Sequence, residues 1–424
     1  MAIYFFDHDW GEQDPRAVVG GKGASLAAMT ALGLPVPPGF TLPIGGDWSM
    51  DEVREGLERV GAALGRRYGD GLRVSVRSGA ATSMPGMMDT ALNVGGEADP
   101  LAEIERHIHA VYASWDAPRA RHYRDAEGLS HEGGTAVTVQ AMVLGDLNPD
   151  SGTGVVFSRC PKTGERRPQG DYLPQAQGEA VVAGEAATLD LAALAARHPD
   201  IHSELMGYLD RLELHYRDMV DVEFTVEDAR LFVLQARAGK RTPEAAARIA
   251  VEMADDPGFP LSRAEAVARV PDSYWAAHGV ARASGSVLTT GLGASPGVAS
   301  GAIVLDADSA VERMDEDLIL VREATSPADI HGMSAARGIL TTLGGQMSHA
   351  AVVARGWSLP AVVGAGDVRI GAGEIHIKGR RFGEGEIITI DGGSGAVFAG
   401  TVAATRDAPD PARDTLNQWR EELS

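Results

Sequence analysis

Two periods of apolar residues run through the chain, and where each applies sets the expected elements. Runs rich in β-branched residues with a two-residue repeat predict strands at Arg73–Arg77, Thr135–Val143 and Met219–Thr225, the last followed by Arg230–Gln235. Helical spacing fills the stretches between them, so residues 1–241 read as one α/β domain. From Thr242 to about Pro271 the composition turns to Ala, Glu and Arg at helical spacing, and the Ser/Gly stretch Ala283–Ser286 then reads as a hinge, giving a helical linker over 242–285. New strands are predicted at Gly301–Leu305, Asp317–Val321, Gly338–Thr342, Ala361–Gly364 and Ile387–Ile390. With one helix, Ser348–Arg355, they define a second compact α/β domain over 286–402. An Asp-Ala-Pro-Asp-Pro run and then Leu416, Trp419 and Leu423 at helical spacing predict a linker and short helix over 403–424.

Composition narrows the partners. The formal net charge of −21 disfavours duplex nucleic acid or an anionic membrane surface as the main partner, since both require a basic footprint. Apolar runs stay near four residues, as at Ala351–Ala354, too short to span a bilayer. The single cysteine, Cys160, has no intramolecular partner, and the N-terminal residues lack the basic stretch and long apolar core of a secretion signal, so a cytoplasmic protein is expected. Fifty-two glycines imply many tight turns and close backbone approaches.

Four segments carry candidate chemistry. Gly20-Gly21-Lys22-Gly23 sets a lysine among glycines before a helical pattern, where free N–H groups and an ammonium can hold phosphate oxygens; a glycine turn with a solvated lysine reads equally from these residues. Strand Val74–Arg77 ends in an arginine suited to bidentate phosphate contact, or to a carboxylate partner. The loop Thr82–Thr90 that follows is rich in small, hydroxyl and flexible residues. Asp221-Val222-Glu223-Phe224 alternates acid and apolar residues, placing both carboxylates on one strand face, and Gln235 and Arg237 repeat the alternation on the expected hairpin partner. Two carboxylates with an amide oxygen make a hard-oxygen Mg²⁺ site, although a solvated hairpin face would show the same pattern. In Gly344–Gly356, Ser348 reads as an N-cap and puts His349 in the first helical turn, where a phosphate on the ring meets unpaired N–H groups and the positive end of the helix dipole. A neutral imidazole there is nucleophilic enough near pH 7 to attack phosphorus; a structural histidine is the alternative.

These segments occur in the same order, with closely similar wording, in the pyruvate, phosphate dikinase family, which the chain resembles along nearly its whole length. The likeness extends to Leu32–Phe40, Ser114–Ala120, Ser151–Val155, Gln177–Glu179 and Ala294–Gly297. It implies an α/β (α+β) architecture: an ATP-grasp nucleotide-binding domain followed by a swivelling phosphohistidine domain. It implies that ATP and phosphate are used to phosphorylate His349, releasing AMP and pyrophosphate. By the same resemblance Lys22 and Arg77 bind and polarise phosphates, Asp221, Glu223 and Gln235 hold Mg²⁺ and nucleotide, and Arg237 supports the transferring phosphoryl group. Gln177 and Glu179 would be secondary members of the nucleotide site.

Departures from the family pattern are equally definite. The family continues into a C-terminal barrel that binds pyruvate and phosphoenolpyruvate, whereas this sequence ends at Ser424, so the acceptor, pyruvate or another small molecule, is expected on a separate chain. A helical insertion between Gly96 and Trp115 is absent. The family's Thr two residues before the histidine, which some members phosphorylate for regulation, is Met347; an Asn before Pro161 is Cys160, and another before the Ala-Gln-Gly-Glu run is Gln175. A kinase of a different small metabolite, or a non-catalytic nucleotide-binding regulatory module, are the other readings.

Overall fold

The computed structural model describes residues 3–423 apart from 83, 85, 86, 127, 179–187, 277–280 and 407–410. The chain divides into two compact units: Met1–Ser151 with Glu223–Ala236, and Gly152–Val222 with Arg237–Ser424. The division falls inside the expected hairpin, Val220–Glu227 and Arg230–Ala238. The turn end of that hairpin is tied to the first unit, where Ala229 N donates to the Asp150 carbonyl and Leu144 N to the Glu227 carboxylate. Its open end belongs to the second, where Ser158 N donates to the Val220 carbonyl and Gly239 N to that of Met219.

The first unit is built on an antiparallel five-stranded sheet in the order Tyr4–Phe5, Gly39–Leu42, Thr135–Ala141, Val74–Ala80, Thr90–Val94. Helices Met50–Leu64 and Pro100–Ala113 bury Val53, Leu57, Val60, Ile104 and Ile108 against Phe40, Val74, Val76 and Val139. Both are strongly started: Ser49 and Glu52 form a reciprocal capping box, and Asp99 caps the other with Pro100 at its first position. The second helix occupies the short stretch between Gly96 and Trp115.

In the second unit, strands Gly152–Phe157, Gln169–Pro174 and Leu189–Asp190 pair antiparallel. Every predicted strand of the C-terminal part is present in an eight-stranded sheet. Its order is Val287–Thr290, Ala396–Ala399, Ile387–Asp391, Val298–Val304, Leu318–Arg322, Gly338–Thr341, Ala361–Val363, Leu292–Ser295. The pairings from Val298–Val304 through Ala361–Val363 are parallel, and the flanking ones antiparallel. Near-continuous apolar runs such as Leu318-Ile-Leu-Val321 mark strands covered on both faces. The meander Val368–Gly371, Glu374–Ile377, Arg380–Gly383 had no counterpart in the sequence reading.

The segment read as a hinge contains a short strand: Ala281–Ser284 pairs antiparallel with Ala403–Arg406, so the chain entering the eight-stranded domain and the chain leaving it run side by side. The linker folds as Pro243–Asp255, Arg263–Arg269 and Asp272–Ala276, and the terminal helix Pro411–Glu422 packs onto the first two. Leu416 and Trp419 are buried there with the Arg263 guanidinium over the indole, whereas Leu423, expected on the same stripe, lies beyond the helix and is exposed.

Candidate active site

Helix Arg16–Ala31 is kinked at Gly20, whose φ is 66°. A Cβ there would lie 1.6 Å from the Gly79 carbonyl oxygen, so only glycine lets the helix press onto strand Val74–Ala80. The glycine–lysine run is therefore inside a helix rather than ahead of one. The contact sets Lys22 beside Gly79, where a Cβ would stand 3.3 Å from that of Lys22, and Ser25 Oγ ties the helix to the Ala236 carbonyl at 2.5 Å. Arg77, two residues before Gly79, donates from Nη2 to Gln235 Oε1 at 3.1 Å and pairs with Glu223 Oε2 at 3.5 Å. Its side chain is 14% exposed and that of Glu223 26%, so the pair is partly dried and its attraction stronger than at a free surface. Four predicted residues, Lys22, Arg77, Glu223 and Gln235, are thus assembled by one unit.

Asp221 and Arg237 form a second group in the other unit. Arg237 Nε and Nη2 both reach Asp221 Oδ2, at 2.9 and 2.8 Å. The predicted alternation is correct, but Asp221 is only 3% exposed, so the strand face is buried at this position rather than solvated. Gln177 is half-buried in the loop after Gln169–Pro174, and Glu179 lies outside the described residues.

His349 owes its place to two neighbouring parallel strands. Strand Leu318–Arg322 runs out into the loop carrying Thr325, and strand Gly338–Thr341 into the loop that ends at Ser348 and the helix His349–Trp357. Loops at the carboxyl ends of adjacent parallel strands lie side by side, the usual place for a site in an open α/β sheet. Thr325 Oγ1 stands 3.1 Å from His349 Nδ1, and Nε2 is buried with no hydrogen-bond partner among the described residues. Ser348 takes the N-cap position as expected, but its hydroxyl makes no capping bond. Gly344, at φ 98°, must be glycine because a Cβ would fall 2.8 Å from the Ser348 Cβ. Burial pushes the imidazole down to about 4, with the Asp329 carboxylate opposing and the Lys240 ammonium adding to the shift. The ring is neutral at physiological pH.

Sequence reasoning missed the side chains that support this histidine. Thr325 carries no motif of its own, and only the strand order brings it near. Asp329, which accepts from Ser326 N at 2.8 Å and pairs with Arg322 at 3.2 Å, orders the Thr325 loop. Asp171 Oδ2 accepts from Met347 N at 3.2 Å, and burial raises its pKa.

The departures have local explanations. Met347 is buried among Phe157, Met219 and the linker helices, so a thioether fills an apolar contact where the family has a hydroxyl. Cys160 Sγ accepts from Thr163 N at 3.4 Å, a bond that an Asn oxygen can make instead. Gln175 sits at φ 51°, a left-handed conformation in which Asn is favoured over most other side chains.

Residues 49–203 and 198–257 match the family model described as pyruvate phosphate dikinase, AMP/ATP-binding domain, and residues 314–395 match that of the PEP-utilising enzyme, mobile domain. The pyruvate, phosphate dikinase of Rhizobium meliloti (strain 1021) is 38% identical over 528 residues, covering 96% of this chain and 59% of that protein. This chain belongs to the pyruvate, phosphate dikinase family. The Clostridium symbiosum enzyme is 34% identical across 100% of the chain and 61% of its own length, and the chloroplastic enzyme 1 of Arabidopsis thaliana 34% identical across 97% and 54%. The chain thus spans somewhat over half the length of these dikinases. An alignment of 528 residues against a chain of 424 also means that the relative carries about a hundred residues or more, inside the match, that this one lacks. The ATP-grasp class expected of the N-terminal α/β part agrees with the first family match. Among the described residues no helix is long and apolar enough to cross a membrane.

The donor set also bears on the expected Mg²⁺. Among the described residues no three His, Cys, Asp or Glu side chains converge as a metal cage. Glu223 and Gln235 stand together on Arg77 in the first unit, a carboxylate and an amide oxygen of the kind that an ion taking its remaining ligands from phosphates and water can use.

Proposed function

We propose that this chain is an ATP-dependent phosphotransferase that phosphorylates its own His349, using ATP and phosphate and releasing AMP and pyrophosphate, and hands the phosphoryl group to pyruvate or another acceptor held on a separate chain. The observation that carries this reading is the state of His349: a neutral imidazole at a helix start, with Nδ1 engaged by Thr325 and Nε2 without a partner among the described residues. With Nδ1–H donating to Thr325 Oγ1, the lone pair sits on Nε2. That nitrogen attacks the β-phosphorus of ATP; the bond from the β-phosphorus to the AMP oxygen breaks as the N–P bond forms, and AMP leaves with the electron pair. Phosphate then attacks the γ-phosphorus, whose bond to the bridging oxygen breaks to release pyrophosphate and leave one phosphoryl group on the ring.

Lys22 and Arg77 would neutralise phosphate oxygens on the donor, and Arg237 would meet charge developing on the transferring group, each acting through charge-assisted hydrogen bonds. Asp221, Glu223 and Gln235 would hold Mg²⁺, which draws charge from the phosphates when bound. Gln177 would contact the nucleotide at the edge. The phosphohistidine domain is joined by the paired segments Ala281–Ser284 and Ala403–Arg406, and we place there the hinge that lets one histidine serve donor and acceptor in turn. Incubation with labelled ATP tests the reading through an acid-labile label on the protein. No label in any metal or phosphate condition leaves the nucleotide-binding module instead.

Two further results are expected. Thr325→Val keeps the shape but removes the bond to Nδ1, and the labelling rate should fall about tenfold, the worth of one hydrogen bond. Rapid-quench kinetics check this, and an unchanged rate would remove Thr325 from the account. The pH dependence follows from the depressed imidazole. Because the folded ring takes a proton only near pH 4 while an unfolded one does so near 6.5, labelling should show no His349 limb between pH 6 and 8. From about pH 6.5 down to 4 the unfolded chain binds more protons than the folded one, so stability falls as pH falls through that window. A rate profile with a midpoint near 6.5 that disappears with His349 would contradict it.

A further inference from the structure

The least expected charge in the phosphohistidine domain is Arg355. It sits in the last turn of the helix that His349 begins, yet it is 1% exposed, on a face otherwise made of Ala350, Ala351, Val353 and Ala354. Six residues along a helix separate the two by about 9 Å, and helical side chains lean toward the N-terminus, so a long one reaches back past the start of its own helix. Nη2 donates to the Gln346 carbonyl at 2.7 Å and Nη1 to the Ala294 carbonyl at 3.2 Å, while the guanidinium carbon lies 5.5 Å from the centre of the Phe157 ring. Nε is buried with no partner among the described residues. Burial pulls the group down to about 10, with Asp221, Cys160 and Asp171 favouring the charged form, so it stays a cation at neutral pH.

Two plain explanations fail. A filler for this apolar face would be Leu or Met, which carry no charge to desolvate. A cation placed only to complement the helix dipole does so from the surface, where hydration is kept. What a buried guanidinium adds is a rigid fork with two N–H groups, aimed here at the residue three before the histidine and at a neighbouring strand. Gln346 is held a second time by its own side chain, Nε2 donating to the Gly293 carbonyl at 3.2 Å, next to the Ala294 carbonyl that Arg355 takes.

We infer that Arg355 is a positioning residue for His349: its guanidinium fastens the Gly344–Met347 lead-in to strand Leu292–Ser295 and thereby fixes where the imidazole enters its helix. Phe157, from the strand Gly152–Phe157 of the nucleotide-binding part, covers this clamp. The inference rests on the reading of His349 as phosphoryl acceptor, and it adds a residue that touches neither nucleotide nor phosphoryl group.

The test is the rate of acid-labile labelling from ATP as a function of ATP concentration in wild type, Arg355→Met, Arg355→Lys and Arg355→Ala, the last with and without guanidinium ion. Displacement of a reacting group by about 1 Å costs on the order of 10²-fold. Arg355→Met should therefore label ten- to a hundredfold more slowly at saturating ATP with the half-saturating ATP concentration unchanged. Arg355→Lys should fall between, and added guanidinium should restore part of the Arg355→Ala rate. Wild-type labelling in folded Arg355→Met overturns the inference, as does a loss that guanidinium leaves untouched and that weakens ATP binding in parallel, the mark of general structural damage. A wild-type chain that takes no label overturns the reading of His349 itself, and the positioning role with it.

Discussion

His349→Asn should take no acid-labile phosphoryl label from ATP while remaining folded. Asparagine places a polar atom near the position of Nδ1, so the contact to Thr325 is kept while Nε2 and the ring carbon beside it are removed. A half-buried site that loses ring atoms at the end of a loop should change stability by about 1 kcal/mol, the ordinary cost of a point substitution. Loss of the nucleophile, by contrast, removes the covalent step altogether. Autoradiography after alkaline and acid treatment reads the label, and thermal unfolding confirms the fold. Label persisting at the wild-type level would move the acceptor to another side chain.

The second large effect is expected at Asp221. Its carboxylate is buried and takes both Nε and Nη2 of Arg237. Asp221→Ala leaves the partly exposed Arg237 without this buried carboxylate, and since breaking a fully buried pair from one side costs about 3–5 kcal/mol, the loss here should be at the lower end of that range or below. Urea unfolding at neutral pH should show that loss. Since a destabilised chain would lose activity for an uninteresting reason, Asp221→Asn separates the roles: it keeps the shape and one acceptor oxygen but removes the charge. Labelling should still fall on the order of 10²-fold or more, the scale seen when one preorganised electrostatic contact is removed from a transition state. If Asp221→Asn labels at the wild-type rate, Asp221 is only the structural partner of Arg237.

The legible parts of this molecule were those written in short-range patterns. Alternation over Asp221–Phe224 and Leu234–Arg237 declared a hairpin, and the apolar runs at Leu318 and Ile339 declared buried strands, because side-chain direction in a strand depends on parity alone. What stayed hidden depended on partners far along the chain. That Gly20 lies within a helix is decided by the Gly79 carbonyl pressing on it, and no local pattern reports that approach. The burial of Asp221 similarly depends on what packs over the strand, since an acidic residue at period two looks the same whether its face is wet or dry. Thr325 and Arg355 were illegible for opposite reasons. Thr325 meets His349 only through the order of strands in a parallel sheet. Arg355 was visible as the end of the predicted helix, but nothing in the local sequence signals that its guanidinium is buried. Ala283–Ser284, read as flexible from its composition, pairs with a strand more than a hundred residues later, which a local reading cannot foresee.

The central claim is that His349 Nε2 accepts a phosphoryl group from ATP. The most direct measurement is to incubate the purified chain with Mg²⁺, phosphate and ATP labelled at the β-phosphate, and to map the label by mass spectrometry under alkaline conditions while following the nucleotide product. The account predicts one phosphoryl group on Nε2 of His349 and AMP formed in step with it. Label on any other residue, or ADP as the sole nucleotide product with His349 unmodified, would contradict it.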